Sequence, residues 1–509
     1  MAELLWSWTD LIAATRGRPE GTASGGVNGI SIDTRTLQPG DLFVAIRGDT
    51  QDGHVYVSKA FEKGAAAALV SEDFVTPKGA GPLIRVDEPL YGLRRLGIAA
   101  RKRLSPEARV IAVTGSVGKT STKDMLRRCL ASVGPTHAAE KSYNNHWGVP
   151  LTLARMPKGT KFGVFEIGMN HAGEIRPLTK MVRPHVAIVT TVGPVHLEFF
   201  GSEEAIADAK AEIFEGLEAP AAMGSDPILS GPEPGARQGS DPAAAAGAGG
   251  LAILNADNKH FLHLKSAAMA AGARVVPFGA TATADGFRLA HYNEIGVDGG
   301  IDEVGSEVQA NLDGKEIRYR IGAKGPHQAA NSGAALLAIQ AVGADPFACA
   351  QDLGKFTAAA GRGERTDYLV GDRRVFVIDE SYNANPLSMA AAIKSVGFFP
   401  TLDGDTRRIA VLGDMRELGD TSRQLHAALL QPITDAHIDL VFACGPHMAA
   451  LYDALPEALR GGYAERSEGL IQPLLDVVRG GDVIMVKGSL GTRMAPIVEA
   501  LKTHFGTAK

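Results

Sequence analysis

A short β-branched run, Arg109-Val110-Ile111-Ala112-Val113, leads into Thr114-Gly115-Ser116-Val117-Gly118-Lys119-Thr120, and a helix-forming stretch follows from about Ser121 to Leu130. Strand, glycine loop and helix in this order constrain the fold more than any other feature of the chain. A phosphate chain needs several backbone N–H groups aimed at one point. Glycines let the backbone approach it, and the helix adds its positive amino-terminal end. Lys119 supplies a point charge for terminal phosphates, and the Thr120 hydroxyl suits Mg²⁺. Val113 stands where the usual G-x-x-x-x-G-K-[ST] pattern has its first glycine. A chance Gly-Lys-Thr turn is disfavoured because strand and helix flank the loop correctly.

The rest of the chain repeats the alternation. Apolar strands are expected at Phe162–Ile167, Val186–Thr190 and Leu251–Leu254, with helices between them and a closing helix over 327–342. Strands alternating with helices imply a mainly parallel sheet covered on both faces. Ahead of this, ISIDTRTLQPGDLFVAIRG holds two strands with Pro39-Gly40-Asp41 as the turn between them. HVYVSKAFEKGAAAALV then reads as helix, glycine stop and strand, and Arg101 to Pro106 reads as a linker. After Gly361-Arg362-Gly363, strands at 374–379, 408–413, 440–444 and 483–488 outline a second doubly wound unit. The fold class is therefore α/β. A length of 509 residues suits three or four domains at roughly 150 residues each. The boundaries fall at 1–105, 106–360 and 361–509, and the Ala/Gly/Pro/Ser-rich stretch 221–250 is expected to be a flexible insertion.

Composition narrows the function classes. A net charge of −5 points to no nucleic-acid or membrane surface. Cys129, Cys349 and Cys444 lie too far apart for metal-ligand spacing and fit a reducing cytoplasm. No stretch reaches the ~18 uninterrupted apolar residues of a membrane span, and the amino terminus reads as an amphipathic helix.

Several residues sit where ligands gather, at the carboxyl ends of strands. Glu166 is either a Mg²⁺ ligand or a solvated strand-end glutamate. His196, in Gly193-Pro194-Val195-His196-Leu197-Glu198, follows strand VAIVTT and is either a ligand or a plain loop histidine. Lys210 is odder. Its helical neighbours Ile206, Ala207, Ile213 and Phe214 are all apolar. A lysine centred on an apolar stripe either snorkels to water or loses hydration and becomes a neutral amine able to add CO₂. The resulting carbamate would offer anionic oxygens to a metal. Asp379-Glu380-Ser381-Tyr382-Asn383-Ala384-Asn385-Pro386 is either a turn or a ligand loop, and Lys487-Gly488-Ser489 invites the same two readings.

Together these pieces resemble the Mur ligase family, which builds the peptide of bacterial cell-wall precursors. The family loop T-G-x-x-G-K-[ST] accounts for Val113. Asp33-Thr34-Arg35, Pro39 to Ala45, Gly48 and Asp52-Gly53-His54 look like its UDP-sugar domain. Asn144-Asn145 with Gly148-Val149-Pro150-Leu151-Thr152 look like its central substrate loop, and His327 and Asn331 like its nucleotide-contacting helix. Ser381 to Pro386 and Gly413-Asp414-Met415-Arg416-Glu417-Leu418-Gly419 resemble the dipeptide-adding branch.

The resemblance implies a small α/β UDP-binding domain, a central phosphate-loop ATPase domain and a carboxyl-terminal Rossmann-like domain. It implies ATP and two Mg²⁺ ions as cofactors, with Thr120, Glu166, His196 and a carbamylated Lys210 as metal ligands. Lys119, Glu166, His196 and Lys210 become the catalytic set. Thr114, Gly115, Ser116, Val117, Gly118, Lys119, Thr120, Ser121, His327, Asn331, Arg362 and Asp379 become nucleotide contacts. Asp33, Arg35, Asn144, Asn145, Tyr382, Asn383 and Asn385 become contacts to a UDP-N-acetylmuramoyl-tripeptide and D-alanyl-D-alanine. For Arg35 an exposed salt bridge is the competing reading. The implied enzyme is a cytoplasmic monomer that joins the two substrates through an acyl phosphate. Two rivals stay open: a ligase adding a single amino acid such as meso-diaminopimelate or lysine, and a nucleotide switch without chemistry. The switch lacks an N-K-x-D segment, since Asn255-Ala256-Asp257-Asn258-Lys259 has the wrong order.

Overall fold

A computed structural model describes residues 4–22, 25–48, 51–218, 250–295, 305–357, 361–370, 373–397, 399 and 406–506. The insertion expected over 221–250 lies outside the described residues except for its last position.

Three larger sheets organise the chain. The first has five strands in the order Arg18–Glu20, Leu83–Val86, Ala67–Ser71, Asp41–Val44 and Gly29–Ser31, parallel except for Arg18–Glu20. The expected strands around Pro39-Gly40 are present. They run parallel, so the segment between them is a crossover connection and not a hairpin turn. Gly64 ends the helix Val57–Glu62 with φ 89°, as the glycine stop requires.

The second sheet has nine strands. Arg109–Thr114 lies between Phe162–Glu166 and Val186–Val189, all parallel. The chain builds first toward Thr136–Ala138 on one side and then toward Leu251–Asn255 and Arg274–Gly279 on the other. That reversal opens a crevice at the carboxyl end of Arg109–Thr114, where α/β sheets bind ligands. The sequence reading did not foresee the antiparallel extension Phe287–Ile295, Gly305–Leu312 and Lys315–Ile321. From Glu316 onward the last strand alternates, with Ile317, Tyr319 and Ile321 buried against exposed Glu316, Arg318 and Arg320. This is the period of a sheet with one wet face.

The third sheet has six strands: Glu364–Val370, Arg373–Glu380, Val483–Lys487, Arg408–Gly413, Leu440–Cys444 and Arg460–Ala464. Only the first pairing is antiparallel. The four expected strands of this unit are all present. The α/β class with three units is borne out.

The linker expected at Arg101 to Pro106 is corrected. Arg101 and Lys102 end the helix Pro89–Lys102, and Arg101 is buried. Its guanidinium donates to Val182 O at 2.9 Å and Arg183 O at 2.8 Å. These carbonyls end the helix Ile175–Val182 and have no partner within it. Arg103 packs its guanidinium over Trp6, 3.5 Å from the ring centroid, and the Trp6 indole donates to Ala154 O at 2.8 Å. One apolar cluster therefore runs from Leu42 and Leu69 through Leu93 and Leu96 to Val149, Val110 and Phe165. The first and second units share a core, because a helix with two apolar sides cannot serve as a solvated linker. No helix among the described residues is long and apolar enough to cross a membrane.

Candidate active site

The glycine loop is held open by its neighbours. Gly115 takes φ 148° and Gly118 φ 86°. A Cβ on Gly115 would lie 1.9 Å from Thr190 Oγ1, so only glycine fits that approach. Thr190 Oγ1 donates to Val117 O at 2.5 Å, Ser116 N–H to Thr191 O at 2.8 Å, and Ser116 Oγ to Gly193 O at 3.1 Å. The end of one strand thus fixes the loop that leaves its neighbour. Gly118 caps the helix Lys119–Ala131 and packs against the Asn331 amide, which stands 2.6 Å from the place of a Cβ. Val113 is still strand, paired with Glu166 and Ile188, and fully buried. The loop begins one residue later than in the longer pattern, so a glycine there would only remove core.

Around the first turn of that helix, polar groups converge. Thr120 Oγ1 donates to Glu166 Oε2 at 2.9 Å and lies 3.2 Å from Ser142 Oγ. Asn144 Nδ2 donates to Glu166 Oε1 at 2.7 Å. Arg362, from the third unit, donates to Ser142 Oγ at 2.9 Å and stacks on Tyr382, 4.0 Å from the ring centroid. Lys119 Nζ reaches back to Gly115 O at 2.6 Å. Burial pushes the Lys119 ammonium below its ordinary value; Glu166 opposes that fall and Arg362 adds to it.

Lys210 does not snorkel. It is 3% exposed on the helix Glu203–Ala211, among fully or nearly fully buried Ile206, Ala207, Ile213 and Phe214. Among the described residues its one hydrogen-bond partner is the Met169 thioether, at 3.7 Å. Burial first, and the charge of Lys119 second, push its ammonium well below the ordinary value. A buried amine without an oxygen partner is costly as a cation and is the species that adds CO₂.

His196 has a left-handed backbone, φ 57°. Its Nδ1 is paired with Glu417 Oε2 of the third unit, and the His196 bond lowers the Glu417 carboxyl below its usual range. Among the described residues His196 makes no hydrogen bond to Glu166 or Lys210, and no three His, Cys, Asp or Glu side chains gather as a ready-made metal cluster. The oxygens of Thr120, Ser142 and Glu166 nevertheless suit an oxygen-preferring cation, and the Lys210 amine, with only a thioether partner among the described residues, suits conversion to a further oxygen ligand.

The remaining expected residues are more scattered. Asp33 and Arg35 form an exposed salt bridge at 2.7 Å, with Arg35 86% exposed. Asn145 Oδ1 accepts Gly148 N–H at 2.9 Å and starts the helix Gly148–Ala154. Asn385 Oδ1 accepts Ser388 N–H at 2.9 Å and starts Pro386–Gly397. Asp379 accepts Ser381 N–H at 3.0 Å, and Asn383 and Tyr382 are exposed. His327 is exposed at the start of Pro326–Ala341, one turn before Asn331. Ser121 is half-buried in the first turn after the loop. Lys487 is buried and bridges Glu380 Oε2 at 2.9 Å and Asn383 O at 3.1 Å, bracing the Ser381 to Pro386 loop. Ser142 was not singled out from the sequence; a lone serine in Glu140-Lys141-Ser142 carries no signal there. Glu417 lies within Gly413 to Gly419, where nothing in the neighbouring sequence marks it out from the other residues.

A parallel sheet with a phosphate loop at its switch point, contacted by loops of a further α/β unit, defines a multidomain nucleotide-binding α/β protein. Family models match three stretches of the chain: the Mur ligase family catalytic domain at 26–98, the Mur ligase middle domain at 113–225, and the Mur ligase glutamate ligase domain at 361–490. The chain belongs to the Mur ligase family. The UDP-N-acetylmuramoyl-tripeptide–D-alanyl-D-alanine ligase of Rickettsia prowazekii is 30% identical over 473 residues, covering 93% of this chain and 94% of that protein. The enzyme of the same name from Escherichia coli is 32% identical over 483 residues, covering 94% of each. The structure of MurF from Acinetobacter baumannii superposes with a TM-score of 0.79 at 25% identity, covering 99% of this chain and all of that one (100%).

Proposed function

We propose that this chain joins D-alanyl-D-alanine to the terminal carboxylate of a UDP-N-acetylmuramoyl-tripeptide with ATP, in the synthesis of peptidoglycan precursors. The observation that carries the reading is the Thr120–Glu166–Asn144 and Ser142–Arg362 cluster at the mouth of the phosphate loop. It combines a phosphate cradle, an oxygen-rich cation site and a guanidinium from a second unit. The two curated relatives named above carry this activity in their names and align over nearly the whole chain.

In this reading the N–H groups from Gly115 to Thr120 and the helix amino terminus hold the ATP phosphates, and Lys119 leaves Gly115 O to meet the terminal one. Ser121, His327, Asn331, Arg362 and Asp379 border the nucleotide. Asp33, Arg35, Asn144 and Asn145 border the UDP-tripeptide, and Tyr382, Asn383 and Asn385 the dipeptide. A carboxylate oxygen of the tripeptide attacks the γ-phosphorus, the bond to the β-phosphate oxygen breaks, and ADP leaves. The dipeptide amine then attacks the acyl-phosphate carbon, sheds a proton and expels phosphate. Both reacting partners of the first step are anions, so charge neutralisation governs its barrier. Two Mg²⁺ ions would supply that neutralisation, one held by Thr120 and Glu166 and the other by Glu166 or His196 together with a carbamylated Lys210. Carbamylation couples the neutral Lys210 amine to CO₂ with loss of one proton. The reading also takes 1–105, 106–360 and 361–509 as the domains, and a cytoplasmic monomer as the working form.

The test is ADP release with each acceptor amine in the presence of UDP-N-acetylmuramoyl-tripeptide. D-alanyl-D-alanine should support turnover and free amino acids should not. ADP release with meso-diaminopimelate or lysine on a dipeptide precursor, and none with D-alanyl-D-alanine, would overturn the proposal.

A further inference from the structure

The segment after strand Arg408–Gly413 is fixed firmly to the third unit. Met415 N–H is held by His426 Nε2 at 2.9 Å and Arg416 N–H by Ser489 Oγ at 3.0 Å. Its next residue, Glu417, takes φ 62°, a backbone region that costs a non-glycine residue about 1–2 kcal/mol. There it meets the central unit three ways. Its carboxylate contacts His196 Nδ1, its carbonyl accepts Glu198 N–H at 3.2 Å, and Gly419 packs so closely that a Cβ would stand 3.3 Å from Glu198 Cα. A fourth contact lies nearby, where Leu387 Cδ1 sits 2.1 Å from the place of a Cβ on Gly193. His196, at φ 57°, is also left-handed. Two residues in uncommon backbone conformations, one from each unit, thus meet at a single side-chain contact, and strain of this kind persists only where its surroundings over-determine it.

An imidazole held by a carboxylate at Nδ1 keeps its proton there and presents the Nε2 lone pair elsewhere. We propose that Glu417 is a positioning residue for His196: from the third unit it fixes the ring's tautomer and direction, so that Nε2 is presented for a divalent cation only when the third unit sits against the central one. This rests on the reading of His196 as a metal ligand. Docking of the third unit and cation binding at His196 are then linked, and by reciprocity the cation favours the docked arrangement as much as docking favours the cation.

The experiment uses the full-length chain with Mn²⁺ and a non-hydrolysable ATP analogue, free Mn²⁺ being counted by electron paramagnetic resonance. Variants are Glu417→Ala, Glu417→Gln and His196→Ala. A glutamine oxygen still accepts from Nδ1–H, without the charge. Glu417→Ala should weaken the His196-dependent Mn²⁺ site about 10–100-fold, with Glu417→Gln regaining part of the loss. Small-angle scattering in the same buffer should show Mn²⁺ compacting the native chain and failing to compact Glu417→Ala. If His196→Ala loses an Mn²⁺ site while Glu417→Ala keeps it at native affinity, the positioning role is overturned and the metal reading survives. If His196→Ala also keeps every site, the metal reading of His196 is overturned and the positioning role goes with it.

Discussion

Thr120 donates its hydroxyl hydrogen to Glu166 across 2.9 Å, tying the first turn of the phosphate-loop helix to the end of the neighbouring strand. Glu166 is 2% exposed and its other oxygen accepts from Asn144. Replacing Glu166 with Ala strands two donors, which costs about 1–3 kcal/mol of stability. Glu166→Gln retains an acceptor and should cost less. Both variants should lose about 10²–10³-fold in turnover, because each removes the carboxylate charge from the proposed site of phosphoryl transfer. Urea unfolding and ADP-release rates check the two halves separately. A Glu166→Gln enzyme with native turnover would remove Glu166 from the chemistry.

Lys210 separates stability from function in the opposite direction. Its amine is buried, and among the described residues the Met169 sulfur is its only partner. Lys210→Met keeps the length and removes the polar atom, so the melting temperature should hold or rise in CO₂-depleted buffer. Turnover should be lost. Short carboxylic acids added to Lys210→Ala should restore part of it by supplying the missing oxygens. Full activity of Lys210→Ala without rescue would end the metal-ligand role.

Arg35 tests two readings of one salt bridge. Its pair with Asp33 is exposed, and such pairs contribute little. Arg35→Ala should therefore leave the melting temperature unchanged. If the guanidinium exchanges Asp33 for a diphosphate, KM for the UDP-tripeptide should rise at least tenfold with kcat nearly constant. An unchanged KM leaves only the surface pair.

His185 should set the acid side of the stability profile. Its Nδ1 accepts Val110 N–H at 2.9 Å, and its own N–H and C=O join Val110 and Leu251. Burial first, then the charges of Arg101, Arg109 and Arg183, lower its pKa from 6.5 to about 3. Between those values the unfolded chain binds a proton that the native chain refuses, so stability is full above pH 6.5 and falls as pH drops toward 3. The slope from this group is about 1.4 kcal/mol per pH unit. Urea titrations at several pH values, on the native chain and His185→Asn, measure it. A variant with the native slope would exclude His185 as the source.

Legibility followed the range of the forces involved. The strand–loop–helix from Arg109 to Ala131 was readable because every determinant is local: β-branched residues, glycines able to take positive φ, and a helix former after them. The four expected strands of the third unit were readable for the same reason. The antiparallel strands Phe287–Ile295, Gly305–Leu312 and Lys315–Ile321 were not, since their polar face breaks the apolar runs that mark buried parallel strands. Arg101 looked like linker sequence because its partners lie 81 and 82 residues away.

By itself the sequence determined the α/β class, the phosphate loop and an apolar setting for Lys210, all properties of neighbours along the chain. Only the tertiary structure decided that Lys210 stays inside instead of snorkelling, that Ser142 and Arg362 meet, and that Glu417 holds His196. The first is a matter of what packs over the end of a flexible side chain. The other two join residues 220 and 221 positions apart, and no local pattern encodes a contact whose geometry is set by how separate sheets close on one another.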